Sequence, residues 1–286
     1  MTVTDVNVVK SAIFERPDDA NKGTLGSLLC VCGSYGMAGA AVMSAKGALR
    51  TGIGLAKCAL PRSIYPIVAQ TILESVYYPL SENADGRISK VNVPFLVSES
   101  CKSSATLVGC GLGVCDDTLK IVFSLIENST TPLVLDADAL NCVAKQPEIL
   151  LRKKAPIIIT PHPGEMSRLT GLATPLVNAE RERVALDFAQ KYGVVTVLKG
   201  AGTVIASPNG KVLVNPTGNS GMATGGSGDV LAGVVGALAA QGYDLFDALT
   251  VGAFLHGRAG EQLAVRFGAH GALPSQLPEE IGRLLG

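Results

Sequence analysis

The chain has 286 residues, and its 24 Lys and Arg side chains balance its 24 Asp and Glu side chains, so the formal net charge is zero. Hydrophobic residues make up 47% of the chain and charged residues 17%, which supplies a sizeable core and excludes a disordered chain. A balanced charge lacks the diffuse attraction that draws proteins to nucleic acid or anionic membranes, so we expect neither as a partner.

The cysteines and the N-terminal residues predict a cytoplasmic protein. All seven cysteines fall within Cys30–Cys142, without a CxxC pair or a Cys/His spacing typical of zinc sites. An odd number of thiols without a secretory segment favours reduced, mostly buried side chains. Met1–Lys10 lacks the layout of a signal peptide, and the uncharged stretch Gly23–Ala45 contains five glycines and is too polar for a membrane span.

Short β-branched runs alternate with longer helical patterns, which predicts a mostly parallel α/β sheet with helices on both faces. The predicted strands are Ser27–Cys32, Leu55–Leu60, Ser75–Tyr78, Ala105–Val108, Leu133–Leu135, Ile157–Thr160 and Val194–Leu198. The predicted helices are Ala38–Arg50, Thr118–Glu127, Asn178–Tyr192, Gly228–Gln241 and Phe246–Arg266. No linker or repeat interrupts the pattern, so we expect residues 1–286 to form a single domain.

A hairpin is predicted after the last parallel strand. It joins Thr203–Ala206 to Lys211–Val214 through the turn Ser207–Gly210. Asn-Gly within that turn is expected to supply positive φ angles.

Two glycine-rich loops occur in the first half of the chain. Cys32–Ala40 (CGSYGMAGA) follows the first strand, and Gly109–Gly113 (GCGLG) follows the fourth. Neither matches GxGxxG in a βαβ unit and no GxxxxGK[ST] occurs, so Rossmann and Walker A sites are excluded. Asp136 and Asp138 follow the strand Leu133–Leu135, where they either face a ligand crevice or cap the next helix.

Two later segments bring ionisable side chains to strand ends. In Thr160–Met166 (TPHPGEM), His162 and Glu165 should point into the crevice that open α/β sheets form beyond their strands, unless the histidine is structural. The two prolines suggest a pre-organised loop. In Lys199–Thr203 (KGAGT), the lysine could reach a phosphate and the glycines could let a nucleotide approach the backbone. The alternative is a plain turn with an exposed lysine.

The strongest motif is Gly218–Gly233 (GNSGMATGGSGDVLAG), a glycine-rich loop that runs into a helix of small residues. Helix N-termini bind phosphate, and the five glycines between Gly218 and Gly228 let the backbone approach an anion. A carboxylate beside phosphate is unfavourable unless it acts on a proton, so Asp229 is predicted to be a general base on a substrate hydroxyl. The alternative is an N-cap aspartate. Together the motifs predict phosphoryl transfer from a nucleotide to a hydroxyl, with Mg²⁺ neutralising phosphate oxygens.

Three of these motifs resemble those of the ADP/ATP-dependent NAD(P)H-hydrate dehydratases, which belong to the ribokinase-like superfamily. They are Thr160–Glu165 (TPHPGE), Lys199–Thr203 (KGAGT) and Gly218–Asp229 (GNSGMATGGSGD). The resemblance implies a ribokinase-like three-layer sandwich and a repair reaction, in which the S epimer of hydrated NADH or NADPH is phosphorylated on its C6 hydroxyl and loses phosphate. It also implies ADP as the donor, giving AMP, with ATP as an alternative, and a homotetramer.

The resemblance assigns roles to individual positions. Asp229 matches the catalytic aspartate, which also contacts the substrate. The other matched positions are Ala40, Gly113 and His162 for the substrate, Lys199, Gly200, Ala201, Gly202, Thr203 and Gly228 for the nucleotide, and Glu165 for a metal-linked role. The chain departs from the family pattern at Ser220, where proline is frequent, at Cys110, where GPGLG is frequent, and at Ser227, where threonine is frequent.

The sequence leaves two other functions open. A kinase of the same superfamily that acts on a vitamin-precursor alcohol would share Asp229 but release a stable phosphorylated product, and TPHPGE beside KGAGT favours the dehydratase. A non-catalytic nucleotide-binding protein is disfavoured by the intact Asp229. The resemblance extends from about Gly23 to about Arg266. Many bacterial relatives carry an N-terminal epimerase domain, and only about 22 residues precede this region here, so no epimerase domain is expected.

Overall fold

In the computed structural model, which describes residue 13 and residues 17–286, a single sheet separates two layers of helices. The nine strands of this described part pair in the order β3-β2-β1-β4-β5-β6-β7-β8-β9. They are β1 (Ser27–Val31), β2 (Leu55–Pro61), β3 (Val76–Leu80), β4 (Ala105–Val108), β5 (Leu133–Leu135), β6 (Ile157–Ile159), β7 (Val195–Leu198), β8 (Thr203–Ala206) and β9 (Val212–Asn215). The first seven strands are parallel to one another, and β8 is antiparallel to both of its neighbours, β7 and β9. The predicted mostly parallel sheet is therefore confirmed, whereas Met1–Lys10 lies outside the described residues.

Helices cover both faces of the sheet. They are α1 (Ala38–Arg50), α2 (Tyr65–Thr71), α3 (Val93–Cys101), α4 (Asp116–Asn128), α5 (Asp138–Val143), α6 (Pro163–Thr170), α7 (Thr174–Ala179), α8 (Arg181–Tyr192), α9 (Ser227–Ala240), α10 (Leu245–Phe267) and α11 (Leu277–Leu285). Along β1, Leu28 and Cys30 pack toward α1, α2, α9 and α10, whereas Leu29 and Val31 pack toward α3 to α8. Strands that bury both faces in this way have the near-continuous apolar runs from which they were predicted.

The structure corrects several element boundaries. The predicted helix Asn178–Tyr192 is wrong as one unit, because Glu180 has φ −125° and ψ 41° and separates α7 from α8. Five helices were not predicted, namely α2, α3, α5, α6 and α11. They have 6 to 9 residues, too short for a clear helical periodicity, and all but α5 have a proline in the first turn.

The hairpin between β8 and β9 forms as predicted, but its turn differs in detail. Gly210 has φ +93°, whereas Ala137 is the sole non-glycine residue with positive φ in the described part of the chain. Asn209 therefore does not adopt the positive φ that was expected. Its side chain instead accepts a hydrogen bond from the Lys211 N–H at 3.2 Å, as in an Asx turn.

The strand order places the two early glycine loops side by side. The chain moves in one direction from β1 to β2 and β3 and in the other from β4 onward, so the loops after β1 and β4 flank a topological switch point. The Gly33 N–H donates to the Cys110 carbonyl at 2.8 Å, and the Ser34 hydroxyl donates to the Gly111 carbonyl at 2.7 Å. Ligands of open α/β sheets bind at such a point.

Five of the seven cysteines are buried, which confirms the prediction of mostly buried thiols, and none of the seven is paired in a disulfide. Among the residues that the structure describes, none of the helices combines the length and apolar character needed to cross a bilayer.

Helices α1 and α9 approach each other closely enough that glycine is required at the contact. A Cβ built on Gly47 would lie 2.6 Å from the Val230 carbonyl oxygen. We expect Gly47→Ala to force the helices apart and to lower the free energy of unfolding by about 1–3 kcal/mol. Urea denaturation followed by circular dichroism measures the change. Gly39→Ala on the same helix is the matched control, because its Cβ would meet only a methionine methyl at 3.8 Å. Equal stability of the two variants would contradict the close-packing argument.

Candidate active site

Asp229 is the third residue of α9 and lies half-buried where the glycine-rich loop becomes helix. The N-cap of α9 is Gly226, with φ +102°, and no side chain caps the helix, so the alternative of an N-cap aspartate is wrong. Burial, and then the neighbouring Asp136 carboxylate, raise the pKa of Asp229 to about 6. The carboxylate is thus ionised at neutral pH and is a stronger base than an ordinary aspartate.

Lys199 lies between two buried carboxylates, one directly after β5 and the other in the first turn of α6. Its Nζ is 2.7 Å from Asp136 Oδ1 and 3.9 Å from Glu165 Oε2, and the two carboxylate side chains are 2% and 5% exposed. Burial opposes the charged amine, but the two carboxylates outweigh it and raise the pKa of Lys199. The Thr160 hydroxyl completes the network by donating to Asp136 Oδ1 at 2.6 Å. The alternative of a plain turn with an exposed lysine is therefore wrong.

His162 and Glu165 cap α6 reciprocally, so the segment predicted as a proline-locked loop is a helix start. The His162 Nδ1 accepts from the N–H groups of Gly164 (3.0 Å) and Glu165 (3.4 Å), while the His162 N–H donates to Glu165 Oε2 at 2.8 Å. Burial raises the pKa of Glu165 to about 7. Burial and the nearby Lys199 lower the pKa of His162, which favours a neutral imidazole.

The predicted substrate positions Ala40 and Gly113 lie along the switch-point loops. Ala40 contacts the Gly109–Gly113 loop, since a Cβ built on Gly111 would lie 2.7 Å from the Ala40 Cβ. The Gly113 N–H donates to Asp138 Oδ2 at 2.8 Å. Asp138 therefore orders this loop, and the N-cap of α5 receives no side-chain hydrogen bond, so helix capping does not explain Asp136 or Asp138.

The predicted nucleotide positions form a strap between β7 and β8, which we define as residues 199–203. Arg181 fixes the strap by two hydrogen bonds. Its Nη2 donates to the Leu198 carbonyl at 2.8 Å and to the Gly202 carbonyl at 3.4 Å. Gly202 borders a cavity of about 510 Å³ that Arg181, Val204 and Val214 also line. Gly228 lies next to the side chain of the strap's first residue, because a Cβ on it would approach Lys199 Nζ to 3.3 Å.

The start of α9 receives support from a histidine that the sequence did not single out. His256, on α10, is 8% exposed, and its Nε2 lies 2.9 Å from the Ser227 carbonyl oxygen and 3.3 Å from the Ser227 hydroxyl. Burial lowers the pKa of His256 to about 4, so the ring is neutral at physiological pH. A neutral histidine positions the junction without adding charge beside Asp229.

The structure brings together Asp229, Gly228, Lys199, Glu165 and His162 through the contacts above. Ala40 and Gly113 lie on the adjoining loops, whereas Gly200 and Ala201 are exposed on the outer part of the strap. The sequence weighed Asp136 as a crevice residue but did not assign it, and it assigned no role to Cys110, Arg181 or His256. The position of Asp136 at the end of a strand was the sole sequence feature that indicated a role for it. No local pattern indicated a role for Cys110, Arg181 or His256.

Two groups of side chains could hold a magnesium ion. The carboxylates of Glu165 and Asp136 fit the ion better than a second group that includes the thiol of Cys110. One ligand atom each from Cys110, Asp136 and Asp229 lie within 4.8 Å of one another. Contact with Cys32, and burial, raise the pKa of Cys110, and a protonated thiol is a poor partner for Mg²⁺. The buried oxygens of Glu165 and Asp136 are hard donors of the kind that Mg²⁺ shares with nucleotide phosphates.

The chain is similar to known proteins over nearly its whole length. A family model described as NAD(P)H-hydrate dehydratase matches residues 28–283. The bifunctional NAD(P)H-hydrate repair enzyme Nnr of Moorella thermoacetica is 38% identical over 268 residues, which are 94% of this chain and 51% of that protein. The ADP-dependent (S)-NAD(P)H-hydrate dehydratase of Xanthomonas campestris is 35% identical over 281 residues, covering 97% of this chain and 95% of that protein. The chain thus spans about half the length of the bifunctional relatives.

Solved structures extend the similarity to the fold. An ADP/ATP-dependent NAD(P)H-hydrate dehydratase from Bacillus subtilis, co-crystallized with ATP/Mg²⁺, superposes with a TM-score of 0.86 at 30% identity, over 99% of this chain and 97% of that one. A ribokinase-like superfamily protein from Enterococcus faecalis has the same TM-score at 22% identity, over 99% of this chain and 95% of that one. The ribokinase-like fold expected from the resemblance is confirmed.

Proposed function

This chain belongs to the NAD(P)H-hydrate dehydratase family, and we propose that it dehydrates the S epimer of hydrated NADH or NADPH at the expense of ADP. The observation that carries the proposal is the Asp229 carboxylate, whose pKa of about 6 suits a base at neutral pH and which lies in the first turn of α9. The amine of Lys199 across the crevice supplies the positive charge that phosphoryl transfer requires.

The reaction proceeds in two stages. Asp229 takes the proton of the C6 hydroxyl as that oxygen forms a bond to the β-phosphorus of ADP, and AMP leaves with the electrons of the broken P–O bond. Phosphate is then a far better leaving group than hydroxide. The lone pair of the ring nitrogen expels it from C6, and loss of a proton from C5 restores the double bond of the reduced nicotinamide.

The proposed roles divide the site into two halves. The substrate half consists of Ala40, Gly113, His162 and Asp229. The nucleotide half consists of Lys199, Gly200, Ala201, Gly202, Thr203 and Gly228. A cavity of about 510 Å³ beside Gly202 is large enough for a nucleoside, which supports the nucleotide half.

We assign the metal-linked role to Glu165, with Asp136 as its neighbour. Their oxygens would hold Mg²⁺ together with the phosphates of the nucleotide. When bound, the ion would neutralise charge on the transferred phosphoryl group. Before the nucleotide binds, the single positive charge of Lys199 offsets part of the negative charge of the two carboxylates.

The proposal also includes a compartment and an assembly. Seven free cysteines suit the reducing cytoplasm. The homotetramer expected from the resemblance remains a proposal, and sedimentation of the purified protein measures it directly.

Absorbance at 340 nm tests the proposed reaction. Purified protein with Mg²⁺ and S-NADHX should produce NADH only when ADP or ATP is added, and the faster nucleotide identifies the donor. No increase with either nucleotide, while the protein still binds ADP, would overturn the dehydratase and favour the vitamin-alcohol kinase.

The pH dependence of the reaction should report the base. We expect kcat/KM to rise with pH between about 6 and 7, because protonated Asp229 cannot accept the hydroxyl proton and protonated Glu165 would bind Mg²⁺ poorly. Initial rates between pH 5 and 8 measure this profile. Glu165→Gln serves as the control, because the pKa of Glu165 is also raised, to about 7. A flat profile, or loss of the acidic limb in Glu165→Gln, would contradict the assignment of that limb to Asp229.

A further inference from the structure

A tight turn formed by residues 83–87 projects Arg87 toward the substrate half of the site. The Asn83 Oδ1 accepts from the N–H groups of Asp85 (3.0 Å) and Arg87 (3.1 Å) and so fixes the turn from within. The Asn83 Nδ2 donates to Asp117 Oδ2 at 2.9 Å, in the first turn of α4. These bonds hold the backbone of Arg87 in a defined position.

The turn rests on both switch-point loops. The Tyr35 N–H donates to the Gly86 carbonyl at 2.9 Å, which joins the turn to the loop after β1. A Cβ built on Gly113 would lie 2.4 Å from Arg87 Nε and 3.0 Å from its Cδ, so the Arg87 side chain lies directly across Gly113. Gly113 has φ +71°, and its missing side chain leaves room for this crossing. Arg87 therefore lies over a proposed substrate contact.

Within the part of the chain that the structure describes, Arg87 forms one weak ion pair, and its side chain also hydrogen-bonds to Cys115. Its Nη1 is 3.5 Å from Asp85 Oδ2, and the two side chains are 31% and 68% exposed. An exposed ion pair of this length is readily given up for a better-placed anion. On the loop after β1, to which the turn is hydrogen-bonded, Tyr35 and Met37 are 74% and 50% exposed and provide apolar surface.

The hydrated cofactor has the chemistry that this surface fits. With C6 of its nicotinamide at Asp229, we place the rest of the dinucleotide over the switch-point loops, because these loops hold the proposed substrate contacts Ala40 and Gly113. That arm carries two linking phosphates, and a third in NADPHX, together with a ribose and an aromatic base. Arginine recognises phosphate through paired N–H donors, and exposed aromatic side chains stack on bases.

We propose that Arg87 pairs with a phosphate group of the dinucleotide arm of the hydrated cofactor, with Tyr35 and Met37 against the uncharged part of that arm. This inference rests on the proposed function. It assigns substrate affinity to a residue outside the motifs that carry the family resemblance.

Isothermal titration of S-NADHX and S-NADPHX without nucleotide tests the pairing directly. We expect R87A to raise Kd by about 10- to 100-fold, the range for a lost charge-assisted hydrogen bond, and R87K to recover part of the loss. In the 340 nm assay the same increase should appear in the KM for the hydrated cofactor, with kcat and the KM for ADP within about twofold of wild type. The matched control is R283A on α11, an exposed arginine that pairs with Glu279 and Glu280, and it should leave both constants unchanged.

The outcomes separate this inference from the proposed function. Equal losses for both substrates in R87A support pairing with the linking phosphates, whereas a larger loss for NADPHX supports pairing with its extra phosphate. Active wild-type protein together with an R87A variant of unchanged Kd would overturn the role of Arg87 and leave the proposed function standing. Wild-type protein that binds neither hydrated cofactor would overturn both.

Discussion

Replacing Asp229 with asparagine is expected to lower kcat by about 10²- to 10⁴-fold, which is the usual contribution of a general base. Asparagine has nearly the same shape but cannot accept the hydroxyl proton at neutral pH. ADP affinity should be retained or slightly improved, because a negative charge beside the phosphates is removed. The 340 nm assay measures turnover, and calorimetry measures nucleotide binding.

Stability measurements show whether a loss of turnover in Asp229→Asn comes from misfolding. Because the pKa of Asp229 is raised in the folded protein, its ionisation costs stability above the ordinary aspartate range. Asp229→Asn should therefore be more stable than wild type at pH 8, and this gain should shrink as the pH falls through about 6. Asp187→Asn, at an exposed position on α8, is the matched control for both measurements. Turnover near the wild-type rate in Asp229→Asn would remove Asp229 as the base.

Replacing Lys199 with methionine is expected to lower the free energy of unfolding by about 3–5 kcal/mol. The substitution leaves Asp136 and Glu165 in buried positions without the cation that compensates them. The pKa of Lys199 is raised in the folded state, so the amine is fully charged at neutral pH and its contribution is lost only as the pH rises through that raised pKa. ADP affinity should fall as well, because the amine also faces Gly228 at the phosphate loop.

Urea unfolding at pH 7.5 measures the stability loss. Lys102→Met is the matched control, since Lys102 forms an exposed ion pair with Glu99 and its removal should cost less than about 1 kcal/mol. In the Lys199→Met background, Asp136→Asn should be less destabilising than it is in wild type, because it removes a charge that has lost its partner. A Lys199→Met protein within about 1 kcal/mol of wild type would show that the network is unimportant for folding.

Local patterns were sufficient for much of the fold and for the principal catalytic candidate. Short runs rich in apolar and β-branched residues identified β4, β5 and β8 with their observed bounds, and the bounds of helix α1 were also predicted correctly. The glycine-rich run before Asp229 indicated the start of α9 to within one residue. Short helices such as α5 and α6 escaped prediction, because six to eight residues complete too few turns for a 3.6-residue period to emerge.

Neighbouring residues were enough to predict which loops hold glycine, which strand ends carry ionisable groups and which family the motifs indicate. Folding was needed to bring Lys199 to Asp136, 63 positions away, and to lay Arg87 across Gly113. It also decided the raised pKa of Asp229, which no local pattern encodes. Those features arise from strand order and burial, since a charge responds to every group that folding brings near it and to the water that folding removes.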